Sequence, residues 1–247
     1  MRRSLQCLLL IVAVLAWIPT ARAAEPVDLL LVLAADVSRS VDAGKFQLQR
    51  EGYAAAVANP RVLDAIHSGR NGRIAILFLE WSGLGNQKVV IDWTIVDGPK
   101  AAQAFGDRLL ESPRSFADRT SISGGIDAAV AQLARAPFEG QRRTIDVSGD
   151  GTNNAGRDVT LARDEAVAQG VTINGLVILS ATPLPWNPDH TNPPGGLDHY
   201  YRNNVVGGPG AFVLVAKDFD SFGEAIIEKM IAEVAQVHEE PLRAAAR

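Results

Sequence analysis

The run Leu29-Leu30-Leu31-Val32-Leu33 constrains this chain most, because it is continuous rather than alternating. A strand with apolar side chains on successive residues must be covered on both faces, as an inner strand of a parallel sheet is. The run leads into a carboxylate and two alternating hydroxyls, Asp36-Val37-Ser38-Arg39-Ser40. Asp, Ser and Ser spaced as D-x-S-x-S supply hard oxygens, suited to Mg²⁺, Mn²⁺ or Ca²⁺ rather than Zn²⁺. An Asp ahead of a helix also serves as an N-cap, so these five residues alone leave a purely local role open.

Two further segments sharpen the reading. Arg119-Thr120-Ser121-Ile122-Ser123-Gly124-Gly125 sets a Thr just before a helical pattern, and Ile145-Asp146-Val147-Ser148-Gly149-Asp150-Gly151 is a second strand ending on a carboxylate and a Gly. In an open α/β sheet, ligands bind beyond the carboxyl ends of neighbouring strands, where the strand order reverses. If the strands carrying Asp36 and Asp150 are neighbours there, five oxygen-bearing residues converge: Asp36, Ser38, Ser40, Thr120 and Asp150.

This ordered set resembles the metal-ion-dependent adhesion site (MIDAS) of von Willebrand factor type A domains, over about Val27 to Val237. Glu80-Trp81-Ser82-Gly83, Asp146 to Asn154, Val171 to Leu176 and Gly207 to Val213 are similar to a bacterial family of exported type A-like proteins without assigned function. The resemblance implies a doubly wound α/β fold, a mostly parallel six-stranded sheet with helices on both faces. It also implies a divalent ion, Mg²⁺ or Mn²⁺ with Ca²⁺ as a further candidate. The three hydroxyls would touch the ion, and Asp36 and Asp150 would bind it directly or through water. A protein ligand would complete the shell with an acidic residue. Arg39 stands where many relatives have Gly, and an outward-pointing guanidinium there would steer such a ligand.

The rest of the chain alternates strand-like and helix-like segments. Helices are expected over 42–58, 99–111, 121–135 and 158–169. Strands are expected over 73–81 and 88–93 as a hairpin, then 144–149, 171–179 and 212–216. A last helix is expected to bury Phe222, Ile226, Met230, Val234 and Val237. The segment 180–210 breaks this rhythm and holds six of the thirteen prolines. Leaving the carboxyl end of a parallel strand, it should emerge beside Asp36 and Asp150. Its aromatics Trp186, Tyr200 and Tyr201 are candidates for a partner-selecting rim, against the alternative of a lid that merely seals the sheet. Glu80 and Trp81 end a strand at the same edge, where packing competes with a place on the rim. Asp118 and Arg119 flank Thr120 and are expected to pair or to be solvated, and Asn153 and Asn154 to orient the loop after Asp150. The four histidines, His67, His190, His199 and His238, lack metal-ligand spacing and are read as surface residues.

Composition bounds location and partners. Arg2 and Arg3 precede the apolar stretch Leu8 to Trp17, and Ala21-Arg22-Ala23 has the small-residue pattern of a cleavage site, so residues 1–23 read as a removed export signal. Residues 24–238 then form one domain and 239–247 a flexible tail. Losing three arginines takes the formal charge from −4 to about −7, which disfavours nucleic acid as a partner. Cys7 is the only cysteine and lies within the signal. No later apolar run is long enough to span a membrane, so a periplasmic or secreted protein is expected.

Two short matches point elsewhere. Gly149-Asp150-Gly151-Thr152 is similar to the phosphate-approaching loop of lipid and NAD kinases, but Ser148 stands where those carry Gly. Ser123-Gly124-Gly125-Ile126-Asp127 is similar to a loop of ATP pyrophosphatases, but it lies mid-chain. With no Walker A sequence and no nucleophile elbow, the chain is read as a non-enzyme. A Mg²⁺-dependent phosphotransfer enzyme and a scaffold with a purely structural metal remain the alternatives.

Overall fold

In a computed structural model of the chain, residues 24–180 and 182–235 are described. The expected signal, the tail, Val237 and His238 lie outside them. The elements alternate as β1 (Glu25–Asp36), α1 (Ala43–Val57), α2 (Pro60–His67), β2 (Ile74–Trp81), β3 (Gln87–Val96), α3 (Pro99–Glu111), α4 (Ile122–Ala134) and β4 (Phe138–Gly149). Then come α5 (Val159–Ala168), β5 (Thr172–Ile178), two single-turn helices α6 (Pro188–Thr191) and α7 (Leu197–Tyr200), a π-helical turn (Tyr201–Val205), β6 (Val213–Ala216) and α8 (Phe222–Ala235). One six-stranded sheet runs β3-β2-β1-β4-β5-β6. All neighbours are parallel except the β2–β3 hairpin.

β1 is central, and the continuous apolar run is buried on both faces as expected. Leu29, Leu31, Leu33 and Ala35 pack against α1, α2, α3 and α8 through Tyr53, Ile66, Phe105, Phe222 and Met230. Val27, Leu30, Val32 and Ala34 pack against α4, α5 and the π-helical turn through Ile126, Ala162 and Tyr201. The register sets Ala35 of β1 beside Ser148 of β4, and Asp36 beside Trp81 of β2. Asp36 and Asp150 therefore leave neighbouring strands at one sheet edge, where the order reverses.

Besides the short helical turns within 180–210 and a β3 that runs on to Val96, two elements differ most from expectation. β4 begins six residues early, at Phe138 rather than Thr144, because it pairs with the start of β1 from Glu25 onward. Its first half alternates in exposure, so no apolar run marks it. α2 was not expected. Asn59 caps it by accepting from the Arg61 N–H at 2.9 Å, Pro60 opens it, and it buries Val62, Leu63 and Ile66.

Buried ion pairs tie the layers together. Arg50 of α1 pairs with Glu80 of β2 and donates to the Leu109 carbonyl at 2.7 Å, while Glu80 accepts from the Ser115 N–H at 2.9 Å. Lys229 of α8 reaches Asp146 of β4 at 2.7 Å and also pairs with Glu233. Glu80 and Trp81 thus hold the interior and not the rim. Trp81 lies so close under α4 that a Cβ on Gly125 would come within 2.9 Å of its indole.

Candidate metal centre

β1 delivers Asp36 to the sheet edge and the next five residues turn back into α1, whose N-cap Asp42 accepts from the Lys45 N–H at 2.9 Å. The turn is held from outside. The Arg114 guanidinium donates to the Val37 and Ser38 carbonyls at 2.6 and 2.8 Å, and the Arg39 N–H donates to the Asp118 carbonyl at 2.9 Å. Thr120 arrives on the irregular stretch before α4, whose N-cap is Ser121. Its N–H donates to Asn154 Oδ1 at 2.9 Å, and its carbonyl accepts from the Asn154 and Ala155 N–H groups. Asn153 adds a bond from the Ser123 N–H. The two asparagines therefore orient the loop, as expected: Asn153 bonds locally to the Arg157 carbonyl at 3.1 Å, and both reach the α4 entry thirty or more residues away.

Four of the five residues are joined by hydrogen bonds, and Thr120 lines the same cavity as Ser40. Ser38 Oγ lies 3.0 Å from Ser40 Oγ, which donates to Asp150 Oδ1 at 2.5 Å. Asp36 Oδ1 accepts from the Ser38 N–H at 2.7 Å. Asp36, Asp150, Ser38 and Thr120 are at most 1% exposed and Ser40 is 6% exposed. The second oxygens of Asp36 and Asp150 are buried without a hydrogen bond. The nearest cation, Lys45 Nζ, is held by the Ser40 carbonyl at 2.8 Å and stands 3.6 Å from Asp150 Oδ2.

Electrostatics follow from this burial. Asp36 is pushed up from 3.8 to about 8, first by burial and then by the charge of Asp150, against the Ser38 N–H. Burial also raises Asp150, opposed by the Ser40 hydroxyl, Lys45 and His190. Two buried carboxyl groups in a cradle of neutral hydroxyls, each with an oxygen lacking a hydrogen bond and with Lys45 the one cation among the described residues in an ion pair with them, are short of positive charge. The donor set fits a hard divalent ion. Among the described residues no three His, Cys, Asp or Glu are grouped to hold a metal, so a site here depends on the hydroxyls.

One residue at the centre lies where the sequence pattern does not place it. His190 was expected on the surface; it is 5% exposed, with Nε2 at 3.2 Å from Thr120 Oγ1. Burial lowers its basicity, against the charge of Asp150. Its partner lies seventy residues away, so no spacing could reveal it. His67 and His199 are exposed, as read. Tyr201 is also corrected: it is fully buried beneath Gly149 and Gly175, and Tyr200 is partly buried, its hydroxyl accepting from the Asn153 N–H. Of the segment's aromatics only Trp186 is free, at 74% exposed. Arg39 points outward, 72% exposed and 3.9 Å from Asp118. Beside the hydroxyls opens a cavity of about 320 Å³, lined among others by Arg39, Ser40, Arg119, Thr120, Trp186 and His190.

A family model described as a protein of unknown function, DUF1194, matches residues 26–238. The chain belongs to the DUF1194 family. No curated protein matches its sequence. Several solved structures are similar in fold to this DUF1194 protein. Proximal thread matrix protein 1 of the mussel byssus superposes with a TM-score of 0.61 at 14% identity, over 86% of this chain and 49% of that one. Another structure of the mussel protein has a zinc-occupied MIDAS motif (TM-score 0.58, 16% identity, 87% and 50% covered). The pilus adhesin SpaC of Lactobacillus rhamnosus GG gives 0.58 at 13% identity, over 87% and 31%. A von Willebrand factor type A protein from Catenulispora acidiphila gives 0.55 at 15% identity, over 85% and 43%. The DUF1194 chain spans about half or less of each of these chains, and at such identities the likeness establishes the fold.

Proposed function

We propose that this protein is an exported recognition domain that binds a protein ligand through a divalent ion held by Asp36, Ser38, Ser40, Thr120 and Asp150. The observation that carries the reading is the pair of buried carboxylates, each with an oxygen lacking a hydrogen bond, set against three buried hydroxyls at the switch point of the sheet. Mg²⁺ or Mn²⁺ suits these oxygens, with Ca²⁺ as a further candidate. The ion would supply a Lewis-acidic position open to an acidic side chain. Entry is through the cavity beside Ser40 and Thr120, where Arg39 and Arg119 against the single carboxylate of Asp118 leave a net positive charge that favours a negatively charged ligand, and Trp186 offers an exposed indole. Likeness in fold to a pilus adhesin and to a mussel protein with a zinc-occupied MIDAS motif supports the same reading.

Residues 1–23 as a removed signal, 24–238 as one domain, 239–247 as a tail and a periplasmic or secreted location belong to this proposal. Among the described residues no helix is long and apolar enough to cross a membrane. The phosphotransfer alternative is disfavoured by its own glycines. A Cβ on Gly149 would meet the Tyr201 hydroxyl at 2.5 Å, and one on Gly151 would meet the His190 ring at 2.2 Å. The space those glycines leave is filled by side chains of this chain, where a phosphate would have to approach.

Isothermal calorimetry of the mature protein with Mg²⁺ and Mn²⁺ tests the proposal. Asp150→Ala should abolish binding with the fold intact, and Ser38→Ala should weaken it less, because a hydroxyl contributes a dipole and a carboxylate a full charge. Unchanged affinity in both Asp36→Ala and Asp150→Ala would remove the site.

A further inference from the structure

His190 belongs to the single-turn helix α6, yet it is buried against the centre and locked from several sides. Its carbonyl accepts from the Thr152 N–H at 2.9 Å, and its ring occupies the space left by the missing side chain of Gly151. Its N–H donates to the Asn187 carbonyl at 3.2 Å, beside Trp186. Three groups surround the imidazole: Thr120 Oγ1 at 3.2 Å from Nε2, with Thr152 Oγ1 and Asn154 Nδ2 each 3.3 Å from Nδ1.

The proton positions in this cluster follow from one fixed donor. The Thr120 N–H donates to Asn154 Oδ1, so the other arm of that amide is its NH₂. An NH₂ has only hydrogens to offer, and it faces His190 Nδ1, which must therefore accept. The Thr152 hydroxyl can donate to the same nitrogen. A neutral imidazole then carries its single hydrogen on Nε2, aimed at Thr120 Oγ1. A closed ring results: Thr120 N–H to Asn154, Asn154 to His190, His190 back to the Thr120 hydroxyl. The Thr120 oxygen accepts one hydrogen bond on one lone pair and keeps the second for a cation.

We propose that His190 is a positioning residue for metal binding: its Nε2–H, set by Asn154, orients the Thr120 hydroxyl and joins the segment 184–191 to the metal centre. This deepens the metal-dependent reading and rests on it. Groups that hold a ligand in orientation commonly change metal affinity about 10- to 100-fold when removed.

The experiment compares Mg²⁺ affinity of wild type, His190→Gln and His190→Asn by calorimetry, with melting temperature in chelator as the control for folding. A Gln amide nitrogen reaches the place of Nε2 and can donate to Thr120, whereas an Asn amide reaches only the place of Nδ1. We expect Asn to weaken binding about 10- to 100-fold and Gln to retain most of it. In ¹⁵N spectra of the wild-type imidazoles, the resonances missing from His190→Gln should report a neutral ring protonated on Nε2. Equal losses in Gln and Asn would make the imidazole a direct ligand and overturn the inference. So would full affinity in the Asn variant, losses that merely track the melting temperature in chelator, or a ring protonated on Nδ1. A wild-type protein that binds no divalent ion overturns the metal reading itself.

Discussion

Asp36→Asn should make the metal-free protein more stable while removing its response to metal. Asparagine has the same shape and keeps the acceptor for the Ser38 N–H, now at 2.7 Å. It deletes an acid whose ionisation burial and Asp150 have displaced from 3.8 to about 8. Each pKa unit is about 1.4 kcal/mol, so at pH 7 that displacement corresponds to about 4 kcal/mol of native-state cost. Burying the new amide takes back about 1–2 kcal/mol, leaving a gain of about 2 kcal/mol. For a domain of this size that is about 4–8 °C in melting temperature. Wild type in turn should gain about 2.7 kcal/mol from Mg²⁺ at a hundredfold excess over its dissociation constant, a gain the variant lacks. Thermal unfolding of both proteins at neutral pH, in chelator and in Mg²⁺, measures all four states. A variant that melts below wild type in chelator, or that Mg²⁺ stabilises equally, would refute the reasoning.

The same displacement sets a pH dependence. The folded pKa of Asp36 lies above its unfolded value, so the associated stability is full below about pH 4 and is lost as pH rises through about 8. Metal-free protein should therefore melt lower at about pH 8.5 than at about pH 6, with Asp146, raised to about 7, acting in the same direction; a flat profile in chelator would count against this. Lys45→Met removes the ammonium 3.6 Å from Asp150 and should raise Mg²⁺ affinity about tenfold, read by calorimetry, because the ion no longer competes with a tethered cation. Glu80→Gln leaves Arg50 buried and unpaired, and should cost about 3–5 kcal/mol in denaturant unfolding. Trp186→Ala should leave Mg²⁺ affinity unchanged and weaken any protein ligand captured in Mg²⁺ and released by chelator; undiminished capture would remove the rim assignment.

Much of the fold was legible because its signals are local and periodic. The doubly covered run of β1, the strands 171–179 and 212–216, and the helices over 99–111 and 121–135 each announce themselves within a dozen residues. What escaped lacks such a pattern. The first half of β4 alternates in exposure because only its far end lies deep in the sheet. α2 is eight residues long, too short for a sustained period. Glu80 resembled a rim residue because the end of a strand says nothing of a partner on another element, and Arg50 is thirty positions away.

Residue order alone determined which atoms could form a site and which strand ends would carry them, because a buried parallel strand must end somewhere and its last polar residue must face the sheet edge. Only the tertiary structure decided which other groups complete that edge. Lys45 reaches Asp150 from the first turn of α1, Arg114 clamps the Ser38 turn, Asn154 sets the Thr120 backbone, and His190 arrives from a segment whose prolines and glycines imply a loop but no destination. A carboxylate buried without enough hydrogen bonds draws compensating groups from wherever the chain passes, and that depends on how the layers pack rather than on spacing along the chain.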